Sequence, residues 1–228
     1  MALIIPPRWK RTADLIAEWQ RPLREGDGLP LADIEAAERR LGFRLPEALR
    51  EWYLLAGRRF YHAERRRDFY NLFLPSWPMY DYCAFCTDGM SLFGFHRRFS
   101  EEDPKVYIAT HLPIFVGAEN RWEKIYSFST QAVYTFTLIY ITNNLDNYAW
   151  GSSDFLKKSD YALNFKKISC ESHLPLFEFY SNGLALVEAA DRNQIRIAAK
   201  TEEALRAAME LFADRAVQWH SIVFASNT

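Results

Sequence analysis

Cys83-Ala-Phe-Cys86 is the first spacing in this chain that could do chemistry. Two thiolates so placed are half of a structural zinc site or the whole of a dithiol redox centre. A zinc site needs two further ligands, and the nearest candidates, His96 and His111, stand at irregular spacing. A redox centre wants a strand before the pair and a helix opening at it. Here the pair sits among Tyr80, Tyr82 and Phe85 in strand-like sequence, which favours buried thiols in a core strand. The five histidines, His62, His96, His111, His173 and His220, share no periodicity, and none pairs with Cys, Ser or Asp at a telling distance. A carboxylate pair hidden among the 29 acids stays open. G-x-S-x-G, the P-loop, H-E-x-x-H and G-x-G-x-x-G are all missing. The sequence therefore predicts no catalytic residue, no metal site and no cofactor.

A binding surface fits better. Tyr80, Asp81 and Tyr82, and the run Glu119-Asn120-Arg121-Trp122-Glu123, gather acids, amides and rings at strand ends or turns. Aromatic and Arg anchors dominate protein–protein binding energy when they are buried centrally. The plainer alternative is that the rings point inward and the polar groups only cap strands. Arg65-Arg66-Arg67 has no glycine-rich cradle beside it, so it reads as a solvated helix end rather than a phosphate patch.

Those residues need a scaffold, and 228 of them suit one α+β domain with or without a small appendage. A hydrophobic share of 49% allows a real core, and the 16% of aromatics predicts one rich in rings. A net charge of −1 points to neither nucleic acid nor a membrane surface. Residues 1–67 carry 14 Lys and Arg against 10 acids, and residues 68–228 carry 14 against 19. An acidic face on the β-rich part would suit a basic partner, although solvated surface charge gives the same count. Three cysteines are no disulfide framework. Ala2 to Ile5 is too short for a signal peptide, and no apolar run approaches the ~20 residues of a membrane span. The expectation is a soluble, cytoplasmic protein.

Ile34, Ala37 and Leu41 recur at helical spacing before Gly42, and Leu49, Trp52, Tyr53 and Ala56 do so after Leu45-Pro46. Two consecutive helices follow, with Gly57 as the stop of the second. A further helix is predicted over Thr12–Gln20, with Thr12 as cap. Asp88-Gly89 predicts a hairpin within Tyr80–Phe95. Strands are expected from Val106 to about Pro113, over Trp122–Phe128 and, most plainly, over the β-branched and aromatic Thr135–Thr142. Further on come a helix near Leu184–Ala190, a strand at Gln194–Ala199, a Thr201-capped helix from Glu202 to about Arg215, and a strand over Ala216–Phe224. That last strand–helix–strand run either extends the main sheet or forms a small subdomain.

Ile34, Glu38, Leu41-Gly42, Leu45-Pro46, Leu49, Trp52 and Gly57 resemble the amino-terminal signature of the SUKH superfamily. In that family a helix ending in Leu-Gly passes through a Leu-Pro step into a second helix ending near Asn-Gly; Ala56 stands here in place of Asn. Asn71 to Pro75 resembles the hydrophobic segment that follows the second helix. Ile114-Phe115 with Glu119-Asn120 and Trp122 resembles the step where an aromatic strand meets a Glu-Asn pair, with Arg121 where Gln is usual. Ser152-Ser153-Asp154-Phe155-Leu156 resembles the capped helix that closes the family's core. The resemblance implies helices packed on a mostly antiparallel sheet over residues 1–165, with a carboxyl-terminal extension over 166–228 on the same domain. It implies an immunity protein that binds a cognate bacterial toxin domain, nuclease toxins being the commonest, by stoichiometric occlusion. Tyr80, Asp81, Tyr82 and residues 119–123 would contact that partner. Such a protein needs no direct nucleic acid, membrane or cofactor. A regulatory scaffold for an endogenous protein and, further off, an orphan enzyme are the alternatives.

Overall fold

The computed structural model describes residues 3–60, 71–72, 81–87, 91–110, 122–170, 177–190 and 193–225. Two compact units divide the chain at Thr137/Leu138. Both are α+β, and every strand pairing among the described residues is antiparallel.

The first unit opens with a 3-10 turn, Pro7–Trp9, that runs straight into α1, Lys10–Trp19. Thr12 is therefore buried inside the helix instead of capping it. In α2, Leu31–Leu41, the spaced Ile34, Ala37 and Leu41 form the buried side. Gly42 stops it with φ 76°, and its N–H donates to the Glu38 carbonyl at 2.9 Å. The Glu38 carboxylate then reaches across the turn, accepting from Leu45 N–H at 3.0 Å and pairing with Arg50 at 3.4 Å. Leu-Gly and Leu-Pro are thus tied together by one side chain. Helix α3, Glu47–Phe60, follows Pro46 as expected and buries Leu49, Trp52, Tyr53 and Ala56. It does not end at Gly57, which is helical. A Cβ there would sit 2.9 Å from Leu29 Cγ, so this glycine serves close packing and not a stop.

Strands β1 (Asn71–Leu72), β2 (Tyr82–Thr87), β3 (Ser91–His96), β4 (Val106–Thr110) and β5 (Trp122–Tyr126) form a meander in chain order. Phe43, on the α2–α3 turn, meets Phe95 of β3 edge-on at 6.4 Å, and Ala48 N–H donates to Glu102 O at 3.0 Å. Those contacts hold the two helices to the sheet. Asp103, after β3, caps α4 (Ser129–Asn144) by accepting from Ser129 Oγ, from Thr130 N–H at 3.1 Å and from Thr130 Oγ1 at 2.6 Å.

Helix α4 occupies Thr135–Thr142, where a strand was expected. It is buried along most of its length, so no polar side interrupts the apolar run. Its buried hydroxyls are satisfied within the helix: Thr135, Thr137 and Thr142 each donate to the carbonyl four residues back. Phe136 of this helix packs against Phe93 at 4.9 Å in the first unit.

The second unit holds β6 (Asn147–Ser152), α5 (Lys158–Ala162), β7 (Lys166–Ile168), β8 (Phe177–Ser181), β9 (Ala185–Ala190), β10 (Gln194–Ala199), α6 (Glu202–Glu210) and β11 (Gln218–Val223). Its sheet runs β11-β6-β10-β9-β8-β7. Leu184–Ala190, expected as a helix, is β9 and its approach; Asn182 Oδ1 accepts from Leu184 and Ala185 N–H and turns the chain into a hairpin. The helix expected at Ser152–Leu156 is a turn, with Ser153 Oγ accepting from Phe155 N–H at 3.1 Å, and α5 begins only at Lys158. Thr201 caps α6 as its sequence predicts. Leu205, Ala208 and Phe212 pack with Tyr161, Phe165, Val187 and Ile197 to make this unit's core.

One partly buried carboxylate ties α5, β7 and β8 together. Glu178 accepts from Lys167 at 2.8 Å, Lys158 at 3.1 Å and Tyr180 Oη at 2.8 Å. Burial alone would push its carboxyl up, but these donors outweigh that and hold it at about 2. Its stabilisation is present above the unfolded value of about 4.3 and is lost as pH falls toward 2. Glu178→Gln is expected to cost about 1–3 kcal/mol at pH 7, with the gap to the wild type closing below pH 3, as read by denaturant melts.

Candidate partner-binding face

Side chains along a strand alternate between faces, so register decides which residues of the first sheet stand together. Tyr82 pairs with His96, Gly94 with Tyr107, Tyr107 with Lys124, and Ala109 with Trp122. Those residues share one face with Ala84 and Leu92. Cys83, Phe93, Phe95 and Ile108 occupy the other face and are buried. On the open face Tyr82, His96, Tyr107 and Trp122 are half-buried and Lys124 is exposed.

The rings there form one cluster. Tyr82 stacks on Trp122 at 4.6 Å with planes 11° apart, meets Tyr107 at 5.1 Å and meets His96 edge-on at 5.2 Å. Strands β2 and β5 are separated by two others, so these rings lean across the sheet to touch. The small Ala84, Gly94 and Ala109 leave them room. Gly94 cannot be larger: a Cβ would lie 2.7 Å from the Cys83 carbonyl oxygen, beside the bulge between Ala84 and Cys86. Burial raises the Tyr82 phenol above its ordinary value, with Tyr107 and Asp81 adding to the shift.

At the rim, exposed Asp81 pairs with Arg97 at 3.4 Å, and Arg97 N–H donates to the Asp81 carbonyl at 2.7 Å. His96 Nδ1 accepts from Arg98 N–H at 3.1 Å, so the neutral ring carries its proton on Nε2. Glu123 stands opposite Ile108, in register with the other face, and is exposed at the edge. Tyr80, Glu119, Asn120 and Arg121 lie outside the described residues. Among the anticipated residues, then, Tyr82 and Trp122 are in contact, Asp81 sits at their border and Glu123 points elsewhere.

Tyr107 and Lys124 are not singled out by the sequence, and His96 enters there only as a candidate zinc ligand. The Asp88-Gly89 turn signal lies outside the described residues, but β2 and β3 do pair as a hairpin would, and the bulge shifts their register by one residue and hides His96 as the neighbour of Tyr82. The acidic surplus of residues 68–228 does not gather on this face among the described residues. Glu102 is held by Arg8 at 2.9 Å, and Asp103 is held by α4.

Cys83 and Cys86 are buried on the inner face and His96 is on the open one, so they cannot converge on an ion. Burial pushes the Cys83 thiol up to about 12, far from a reactive thiolate. Among the described residues no three His, Cys, Asp or Glu side chains are placed to hold a metal ion, and no helix is long and apolar enough to cross a membrane.

A family model described as SMI1 / KNR4 family (SUKH-1) matches residues 28–148. That span takes in α2, α3, the first sheet and α4. No curated protein and no solved structure matched the chain.

Proposed function

The chain belongs to the SMI1 / KNR4 family (SUKH-1), and from that premise we propose that it is an immunity protein binding a cognate bacterial toxin domain. Neutralisation is stoichiometric: the protein covers the toxin's working surface in the cytoplasm of the producing cell, with no turnover and no cofactor. The observation that carries this reading is the open aromatic face, where Tyr82, Trp122 and Tyr107 stay half-exposed on a sheet whose other side is packed. Rings already stacked lose little freedom on binding, so they are economical anchors. Tyr80, Asp81, Glu119, Asn120 and Arg121 adjoin these anchors in sequence and complete the proposed contact set, whereas Glu123 stands in register with the other face.

The test is co-expression with a candidate toxin domain, sought among the genes neighbouring the one that encodes this chain. Growth is expected to be rescued and a one-to-one complex recovered. Tyr82→Ala and Trp122→Ala should each weaken that complex roughly 30-fold, the order of a central aromatic anchor, while each variant stays folded at the assay temperature as read by its thermal melt. Killing unchanged and no complex would overturn the proposal. Recovery of a protein of the cell's own in place of the toxin would identify the regulatory scaffold instead.

A further inference from the structure

The charges around the aromatic face do not match the basic partner that the acidic surplus of residues 68–228 suggests. On the face itself Lys124 is exposed and is the direct cross-strand neighbour of Tyr107. Arg98 is exposed at the end of β3, and its own backbone N–H holds His96 with the Nε2 proton available. Arg97 is 41% exposed although it pairs with Asp81. The carboxylate of Asp81 is engaged by Arg97, and exposed Glu123 stands in register with the other face. With Asp81 and Arg97 offsetting each other, two cations, Lys124 and Arg98, and an imidazole donor remain beside the ring cluster.

We infer that the partner presents an acidic segment to this face, with apolar or aromatic side chains seated on the Tyr82–Trp122 stack and carboxylates reaching Lys124, Arg98 and the His96 Nε2–H. The inference rests on the proposed binding role of this face and specifies what that role selects. The rings supply area at the centre, and the cations at the edge steer encounter and reject basic competitors. A cation inserted among the rings finds no gap, because Tyr82 already lies against Trp122 at 4.6 Å. Single-stranded nucleic acid would also use exposed rings and cations, but its tight binding rests on neutralising many phosphates. Lys124 and Arg98 with a shared Arg97 are too few for that, on a chain whose net charge is −1.

Two capped peptides of the same length test this, one alternating Glu with Leu and Phe, the other Lys with Leu and Phe, with oligothymidylate as a third probe. They are titrated into the full chain by NMR. The Glu peptide is expected to shift the Tyr82, Tyr107 and Trp122 signals and to bind about tenfold tighter than the Lys peptide at low salt, the preference fading at high salt. Lys124→Glu together with Arg98→Glu should invert the preference. Equal or better binding of the Lys peptide, a preference unmoved by charge reversal, tighter binding of oligothymidylate, or no binding of the Glu peptide at millimolar concentration each overturns the inference. Trp122→Ala separates the two levels. If it leaves Glu-peptide binding intact, the aromatic face itself is the wrong site and the binding role assigned to it falls. If it abolishes binding while charge reversal does nothing, only the acidic specificity falls.

Discussion

Arg196→Ala is expected to destabilise the second unit by about 3–5 kcal/mol, with a deficit that shrinks as pH is lowered from 8 to 5. Register places Arg196 of β10 directly opposite Glu188 of β9, and the side chains meet at 2.7 Å. Glu188 is wholly inaccessible, and its Oε2 has no hydrogen-bond partner among the described residues. Burial pushes its carboxyl above the ordinary value, and the Arg196 guanidinium only partly pulls it back. Without that guanidinium an ionised carboxylate would be left in the sheet with nothing opposite, so the variant must bind a proton to fold. The sign follows from proton counts. Between the unfolded and the folded value the native state holds a proton that the unfolded chain lacks, so stability falls as pH rises through that window. Removing Arg196 widens the window upward, and the deficit is largest near neutrality. Urea melts at pH 5, 6, 7 and 8 measure it. A deficit independent of pH, or growing toward acid, would contradict this account. The double substitution Glu188→Leu with Arg196→Leu should recover much of the loss, because the buried pair is costly to break and far less costly to replace as a unit.

What could be read from the sequence and what could not divide along a physical line. Helices α2 and α3 were legible because each has one wet side: Ile34, Ala37 and Leu41, then Leu49, Trp52, Tyr53 and Ala56, recur at the period that a half-buried helix imposes. Helix α4 was not, because it is buried on nearly every side, and burial erases the periodicity that separates helix from strand. The Thr, Ile and aromatic residues of Thr135–Thr142 then read as a strand. The hydroxyl bonds that make three threonines acceptable in a buried helix are visible only in three dimensions. Strand β9 failed for the converse reason: Ala185 to Ala190 has helix-forming side chains, but β8 and β10 pair with it on both sides and override local preference. At the candidate site, Tyr82 and Trp122 could be named from residue type. Their contact could not, since it depends on a bulge at Ala84/Cys86 and on small residues that let rings cross two strands.

Gly28→Ala is expected to cost the first unit about 3 kcal/mol or more, well beyond the effect at the neighbouring glycines of special conformation. Gly42, at φ 76°, has open space where a Cβ would go, so alanine there meets only the left-handed backbone penalty of about 1 kcal/mol. Gly28 differs in kind: a Cβ would fall 1.6 Å from the carbonyl oxygen of Leu54, inside α3. Helical backbone cannot yield, so the loop must lift. That loop is fastened by Leu29 N–H to Tyr53 O at 2.8 Å and by Arg59 N–H to Asp27 O at 3.0 Å. The buried Asp27 carboxylate lies between them. It accepts from Arg21 at 2.6 and 2.8 Å and from Arg24 N–H at 2.9 Å, with Arg59 3.7 Å away. The Arg21 hydrogen bonds hold it below the ordinary carboxylate range despite its burial. Arg59, nearly buried itself, also donates to Gln20 Oε1 at 2.9 Å and Arg21 O at 2.8 Å, so the end of α1 is joined to the same knot. Lifting the loop forfeits all of this together. The mechanism makes a second, sharper expectation. Asp27→Asn alone should destabilise by about 1–3 kcal/mol, yet add little on top of Gly28→Ala, because the contacts it removes are already lost. Denaturant melts of the two single variants and the double variant decide it. A Gly28→Ala loss no larger than that of Gly42→Ala, or full additivity in the double, would show that the loop is not pinned to α3 in this way.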